Sequence, residues 1–326
     1  MTSLLPRTAL VAMTAVGLMA GTAFAQDYPT QPVTIVVPFS AGGPTDTVTR
    51  LVAAAMSDDL GQQVIVQNVA GAGGTLGAGQ VAIANPDGYT LLLHHIGMST
   101  APSLYASLPY DPVEDFADIG LVTEVPMTIV ARRDFEPETF QDFLGYVQEQ
   151  GENITLANAG VGAASQLCGL LLQDALGVKF TEVPYQGTGP ALTDLLGSQV
   201  DIMCDQTTNT SPQILAGEIK AYAVTTPDRV SSLPDIPTTG ESGLNLEVSV
   251  WHGLYAPAGT DPAIIDRLTE SLQLALTDET VVSSFAELGT APVTEGQATP
   301  EGLHDKLVSQ TELWKEVFAA AGVEPQ

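Results

Sequence analysis

The chain has 326 residues, with 10 Lys plus Arg against 38 Asp plus Glu, a formal net charge of -28, and 44 % hydrophobic residues. That apolar share can fill a large core despite the charge, and the length suggests about two domains. The scarcity of cations excludes nucleic acid, whose phosphates need clustered Lys and Arg, and it disfavours anionic membrane surfaces.

In chain order, the N-terminus reads as a signal peptide over 1–25. Arg7 supplies a positive start, Thr8 to Ala20 is apolar, and Ala23-Phe24-Ala25 is an A-x-A cleavage site that leaves Gln26 first in the mature chain. The apolar stretch is shorter than the ~20 residues of a membrane span, so export as a soluble protein is expected. No cysteine sits at the cleavage site, so no lipid anchor is expected.

Strands and helices then alternate. Val33–Val37 is a predicted strand and Thr47–Leu60 a helix. Gln63–Asn68 is a strand, followed by a glycine-rich turn over Gly71–Gly79 that runs into a helix to about Ala84. Thr90–His94 is a strand, and Leu121–Ala131 an extended run interrupted by Pro126. Thr139–Gln150 is an amphipathic helix, Ile154–Asn158 a strand, and Ser165–Leu176 a helix. Thr181–Pro184, Val200–Cys204 and Tyr222–Thr225 read as strands, with helices over Pro190–Leu196 and Pro212–Ala216 between them. From Pro262 the chain is mostly helical, over Ile264–Leu276, Thr280–Leu288 and Pro300–Ala320. This alternation predicts parallel sheets covered by helices, an α/β fold.

Two strand-turn-helix units share one chemistry. The first, Phe39-Ser40-Ala41-Gly42-Gly43-Pro44-Thr45-Asp46, has two readings: backbone N–H groups at a helix N-terminus that capture an anion, or a tight turn with Thr45 or Asp46 as N-cap. The second, Asn158 to Gln166 with Gly160-Val161-Gly162-Ala163-Ala164-Ser165, is again free of bulky side chains. It reads either as a close approach to a ligand or as helix-strand packing. Ligands of open α/β sheets bind beyond the carboxyl ends of strands, so two such halves face to face would put both turns on one cleft.

Other motifs are weaker. Gly77-Ala78-Gly79-Gln80-Val81-Ala82 fits a dinucleotide pattern but does not follow a strand, and no P-loop or GxSxG occurs. His94 and His95 are adjacent on a strand, where side chains alternate between faces, so they are poor co-ligands for one metal. No metal and no cofactor is expected. Cys168, on a predicted helix, and Cys204, at a predicted strand end, form a disulfide in an oxidising compartment or remain two buried thiols.

Several segments together resemble the periplasmic solute-binding proteins of tripartite tricarboxylate transporters, the TctC or Bug family. They are Tyr28-Pro29 with Pro32 to Phe39, Ala41 to Asp46, Asn68 to Gly74, Pro86 to Thr90, Pro184 to Gly187 with Gly189-Pro190-Ala191, and Trp251 to Pro257. The resemblance implies a two-domain periplasmic-binding-protein fold of type II-like form, each domain a mixed, mostly parallel sheet flanked by helices, with ligand in the interdomain cleft. Domain limits are expected at 26–124 plus 251–326 and at 125–250. It further implies a small carboxylate gripped by Phe39, Ser40, Ala41, Gly42, Gly43, Thr45 and Asp46 and by Asn158, Gly160, Val161, Gly162, Ala163 and Ser165. Ala72, His95, Ser99, Gln186 and Asp205 are expected to line the cleft and tune specificity. Family members often carry His at the position of Gln166. The expected partner is the membrane subunits of a tripartite tricarboxylate-type transporter, the expected state a monomer, and the expected role transport rather than catalysis. The alternative is a periplasmic sensor subunit or an enzyme acting on small organic acids.

Overall fold

β-Branched residues form the first strand, β1 (Val33–Val37), in a computed structural model that describes residues 28–325. The expected signal peptide and its cleavage site lie outside the described residues. A long helix, α1 (Pro44–Leu60), follows β1 and ends at Gly61 in the left-handed conformation. Next come β2 (Val64–Asn68), α2 (Thr75–Ala82), β3 (Thr90–His95) and α3 (Gly97–Leu104). β1 pairs parallel with both β2 and β3.

The 17-residue β4 (Phe116–Arg132) links this sheet to a second one. Its first part pairs antiparallel with β9 (Ser249–Pro257), which in turn pairs with β3. From Met127 onward it pairs with β7 (Ile202–Gln206) and β8 (Ile219–Val224). Parallel pairing of β5 (Thr155–Asn158) with β6 (Thr181–Pro184) and β7 completes the second sheet. Helices α4 (Phe140–Gln150), α5 (Ala164–Leu176), α6 (Thr188–Leu196) and α7 (Thr207–Leu215) belong to this half. The chain returns through β9 to α8 (Pro262–Thr277), α9 (Glu279–Glu287) and α10 (Pro300–Ala320). The architecture is thus two mixed sheets flanked by helices, with a covered apolar layer such as Val48, Val52, Leu268 and Phe285 in the first half.

Pro126 does not interrupt β4. It stands opposite Ser249, where pairing passes from β9 to β7 and β8, so its missing N–H costs little. Thr225 fastens this crossing: its hydroxyl donates to the Val248 carbonyl at 2.6 Å and its N–H to the Met127 carbonyl at 2.9 Å. The strand β9 and the helix α3 were not among the sequence expectations. α7 begins at Thr207, ahead of Pro212, which lies inside the helix rather than at its start.

Cys168 of α5 and Cys204 of β7 are joined, with Cα atoms 6.0 Å apart. The link ties a helix to the sheet it covers and closes a loop of 36 residues. Replacing Cys168 with Ser is expected to cost about 2–4 kcal/mol, measured as a lower urea midpoint. Equal midpoints for the variant and the oxidised parent would show that the link adds no stability.

Candidate functional site

The two strand-turn-helix units are built by one device. In the first, Gly42 takes the left-handed conformation, φ 80°, and Gly43 is the N-cap of α1, without a side-chain cap. Asp46, three residues past the N-cap, reaches back and accepts the Gly42 N–H at 2.9 Å. The same carboxylate accepts from Arg50 Nε and from Asn68 Nδ2, each at 2.9 Å. Burial raises the Asp46 pKa, but the Arg50, Gly42 and Asn68 hydrogen bonds outweigh it and hold the carboxyl below its usual range. In the second unit Gly162 also has φ 80°, Ala163 is the uncapped N-cap of α5, and Gln166 Oε1 accepts the Gly162 N–H at 3.1 Å. Neither Thr45 nor Asp46 is therefore an N-cap. The Asp46 carboxylate is engaged in holding its turn.

Because these side chains return to the residue before the N-cap, they leave the N–H groups of the first helical turn without intrahelical partners. The α1 and α5 termini stand at the carboxyl ends of β1 and β5 and face one another across a small cavity. Its walls include Phe39, Gly43 and Thr45 from the first unit, Ala163 and Ser165 from the second, and His95, Thr188, Asp205 and Gln206. No Lys or Arg lines it. Two helix N-termini are the positive element of this cavity.

The aromatic wall is neutral. His95 stacks on Phe39 at 4.6 Å, and its Nδ1 accepts the Gly97 N–H at 2.9 Å, which places the proton on Nε2. Burial pushes the His95 pKa down to about 3. Burial, with neighbouring imidazoles, also holds His94 and His252 well below the usual range. His94 and His95 do not separate as strand neighbours should: their rings lie 4.9 Å apart, because β3 ends there and the chain turns into α3. Among the described residues no group of three or more His, Cys, Asp or Glu is arranged to hold a metal.

The part of the lining at the end of β7 is acidic. Asp205, at the end of β7, is 1 % exposed, and its Oδ2 accepts from Asn209 Nδ2 at 2.5 Å. Burial raises its pKa to about 6 against the pull of the Asn209, Gln206 and Thr188 hydrogen bonds. The Thr188 hydroxyl is buried beside it.

Two seams close the cavity where the halves meet. In one, the Ser40 N–H and hydroxyl donate to the Gln186 carbonyl at 2.9 and 3.0 Å. A Cβ placed on Gly189 there would lie 3.0 Å from the Ala41 carbonyl oxygen. In the other, Thr100 Oγ1 donates to the Gly162 carbonyl at 3.0 Å, and Tyr105 Oη lies 2.7 Å from Ala72 O and 2.8 Å from Val161 O. A Cβ on Gly73 would lie 1.7 Å from Val161 O, so only glycine fits.

Ser40, Ala72, Gly160, Val161, Gly162 and Gln186 therefore take seam positions rather than places on the cavity wall. Ala41 and Gly42 border a separate, open hollow. Ser99 is buried and donates to the Ile96 carbonyl within α3. Asn158 shapes its turn by accepting the Gly160 N–H. Thr188 and Gln206 escaped the sequence reading. Thr188 follows Gly187 at the start of a helix, and that placement was its available signal. Gln166 is the counterpart of Asp46, a role visible in the equal spacing Gly42–Asp46 and Gly162–Gln166.

Asp46→Ala would leave the Gly42 N–H, Asn68 and Arg50 without their shared acceptor. It is expected to destabilise the fold by about 2–4 kcal/mol in chemical denaturation, and a loss within error of zero would refute the role given to Asp46. Asp205 provides a pH test. Its raised native pKa means that its stabilising contribution is full below the unfolded value of 3.8 and is lost as pH rises through about 6. Ligand-free Asp205→Asn should therefore gain on the parent by on the order of 1–3 kcal/mol between pH 4 and 7. A stability difference that does not change with pH would mean that Asp205 titrates normally.

The family model described as "Tripartite tricarboxylate transporter family receptor" (TctC) matches residues 48–317. A relative from Agrobacterium vitis, the UPF0065 protein in the TAR-I ttuE-ttuC' intergenic region, is 55 % identical over 91 % of this chain and 87 % of its own. The structure of the periplasmic binding protein BugD superposes with a TM-score of 0.90 at 52 % identity, over 92 % of this chain and 100 % of that one. MatC from Rhodopseudomonas palustris, solved with bound malate, superposes with a TM-score of 0.86 at 41 % identity, over 89 % of this chain and 99 % of that one. With its paired helix N-termini and two-sheet frame, the chain belongs to the TctC family of periplasmic solute-binding proteins.

Proposed function

We propose that this protein captures a small carboxylate in the periplasm and delivers it to the membrane subunits of a tripartite tricarboxylate-type transporter. The observation that carries the reading is the pair of uncapped helix N-termini, α1 and α5, facing one cavity that no Lys or Arg lines. Such termini hold an anion through charge-assisted hydrogen bonds from backbone N–H groups. The malate bound to MatC supports the same ligand class. Export is assigned to the segment 1–25, with cleavage after Ala25.

Binding is coupled to closure. The halves, taken as 26–124 plus 251–326 and as 125–250, hinge where β4 and the chain before β9 cross between the sheets. Each half brings one helix terminus, so the carboxylate is fully gripped only when both meet. Closure then marks the protein as loaded for its membrane partner.

Thermal-shift measurement against mono-, di- and tricarboxylates tests the reading, since a ligand that binds the native state must raise the melting temperature. At least one acid is expected to do so, and a flat response across the panel would sink the proposal. Gly43 faces the Gly189 N–H and Thr188 across the cleft at 3.4 and 3.8 Å from a built Cβ. Gly43→Leu should fill that space and abolish the shift while far-UV circular dichroism stays unchanged. A folded variant with a full shift would remove the first helix terminus from the site.

A further inference from the structure

We infer that Thr100 and Tyr105 form a two-hydroxyl clasp that holds the α5 terminus in place from the first half of the molecule, and so set how long a bound carboxylate stays. This rests on the carboxylate reading above and adds to it the residues that keep the site shut. Thr100 lies in α3 and Tyr105 is the C-cap of that helix. The carbonyls they meet belong to consecutive residues of the second strand-turn-helix unit. Thr100 Oγ1 donates to Gly162 O at 3.0 Å, and Tyr105 Oη lies 2.8 Å from Val161 O. Neither Thr100 nor Tyr105 lines the cavity.

The Tyr105 hydroxyl has one proton and two carbonyls within reach, and only one of them needs it. Ala72 O, 2.7 Å away in the first half, already accepts from the Thr75 hydroxyl at 2.9 Å and from the Thr75 N–H. Among the described residues Val161 O has no donor besides Tyr105, and Gly162 O has none besides Thr100. Both hydroxyls therefore act across the seam. They pin two successive peptide planes whose other ends are held within the turn. The Gly162 N–H donates to Gln166 Oε1 at 3.1 Å, and the Ala163 N–H to Gly160 O at 3.1 Å. Val161 O is also seated against Gly73, where a Cβ would lie 1.7 Å from it. The next N–H groups along the chain are the free ones of the first turn of α5. Their aim is thus fixed by hydroxyls from the opposite half, and only while the halves are together.

The test compares Tyr105→Phe, Thr100→Val and Thr100→Ser with the parent, each as the full mature chain. Isothermal titration and stopped-flow fluorescence with succinate, malate, glutarate, adipate and citrate give affinities and rates. Loss of one neutral hydrogen bond made only in the shut form should weaken every acid that binds by a similar factor of about three to ten. The loss is expected as faster dissociation, with association little changed, because the clasp acts after the acid has entered. The order of the acids should be preserved. Thr100→Ser keeps the hydroxyl and should bind like the parent, which separates the hydrogen bond from the packing of the Thr100 methyl.

Either Tyr105→Phe or Thr100→Val keeping the parent's affinity and dissociation rate would overturn the two-hydroxyl clasp. So would a loss carried by slower association, or one confined to a single acid, which would put these side chains against the bound molecule. A Thr100→Ser protein as weak as Thr100→Val would reduce the Thr100 effect to packing and overturn its role. If no acid binds the parent, the carboxylate reading itself fails and the clasp with it. That result is distinct from tight binding that the variants leave unchanged, which defeats only the clasp.

Discussion

Everything about this site depends on one hydrogen bond made twice. A side chain three residues inside a helix reaches back to the N–H of a left-handed glycine, Asp46 to Gly42 and Gln166 to Gly162. The usual alternative, a Ser, Thr or Asp at the N-cap, would spend its oxygen on the N–H groups of the first turn. By bonding outside the helix instead, the two side chains fix the turn and leave the helix terminus open. The net charge of -28 makes this matter, because a protein so poor in cations needs another source of positive potential for an anion.

The two versions of this bond differ in strength. Asp46 is ionised, buried and tied to Arg50 and Asn68, so the first turn is braced by a small charged network. Gln166 is neutral, and its turn is helped by Asn158 and by the Ser165 hydroxyl, which accepts the Ala159 N–H at 2.9 Å. An uncharged brace beside an anion site avoids adding a second negative charge there. On the first side Arg50 balances the charge of Asp46. Asp205 is the exception, a buried carboxylate on the cavity wall without a cation, and this sets it apart from the other acidic residues of the site.

Much of this was legible in the residues. The β/α alternation and the two glycine turns follow from local chemistry that acts over a few positions, whereas the sequence left Cys168 and Cys204 either bridged or as two buried thiols. What escaped was set by tertiary context. α3 (Gly-Met-Ser-Thr-Ala-Pro-Ser-Leu) has poor helix propensity and no clear apolar stripe, since it is buried on most sides. β4 reads as broken at Pro126 until its partners on either side are known. The backbone bonds of Asp46 and Asn158 were not legible because a polar residue near a helix start looks the same in sequence whether it faces a ligand or the backbone. Thr188 needed the fold to bring α6 against the first turn.

The seams are a matter of fit, but they also separate two kinds of change. At Gly73, Gly160 and Gly189 one half meets the other through main-chain atoms, and Ser40 donates to the Gln186 carbonyl, not to its side chain. The contact between the halves at these seams therefore depends little on which side chains the cavity presents. The wall residues Thr188, Asp205 and Gln206 take no part in these seam hydrogen bonds. The contacts that join the halves and the side chains that line the cavity are carried by different atoms, and so can be altered one at a time.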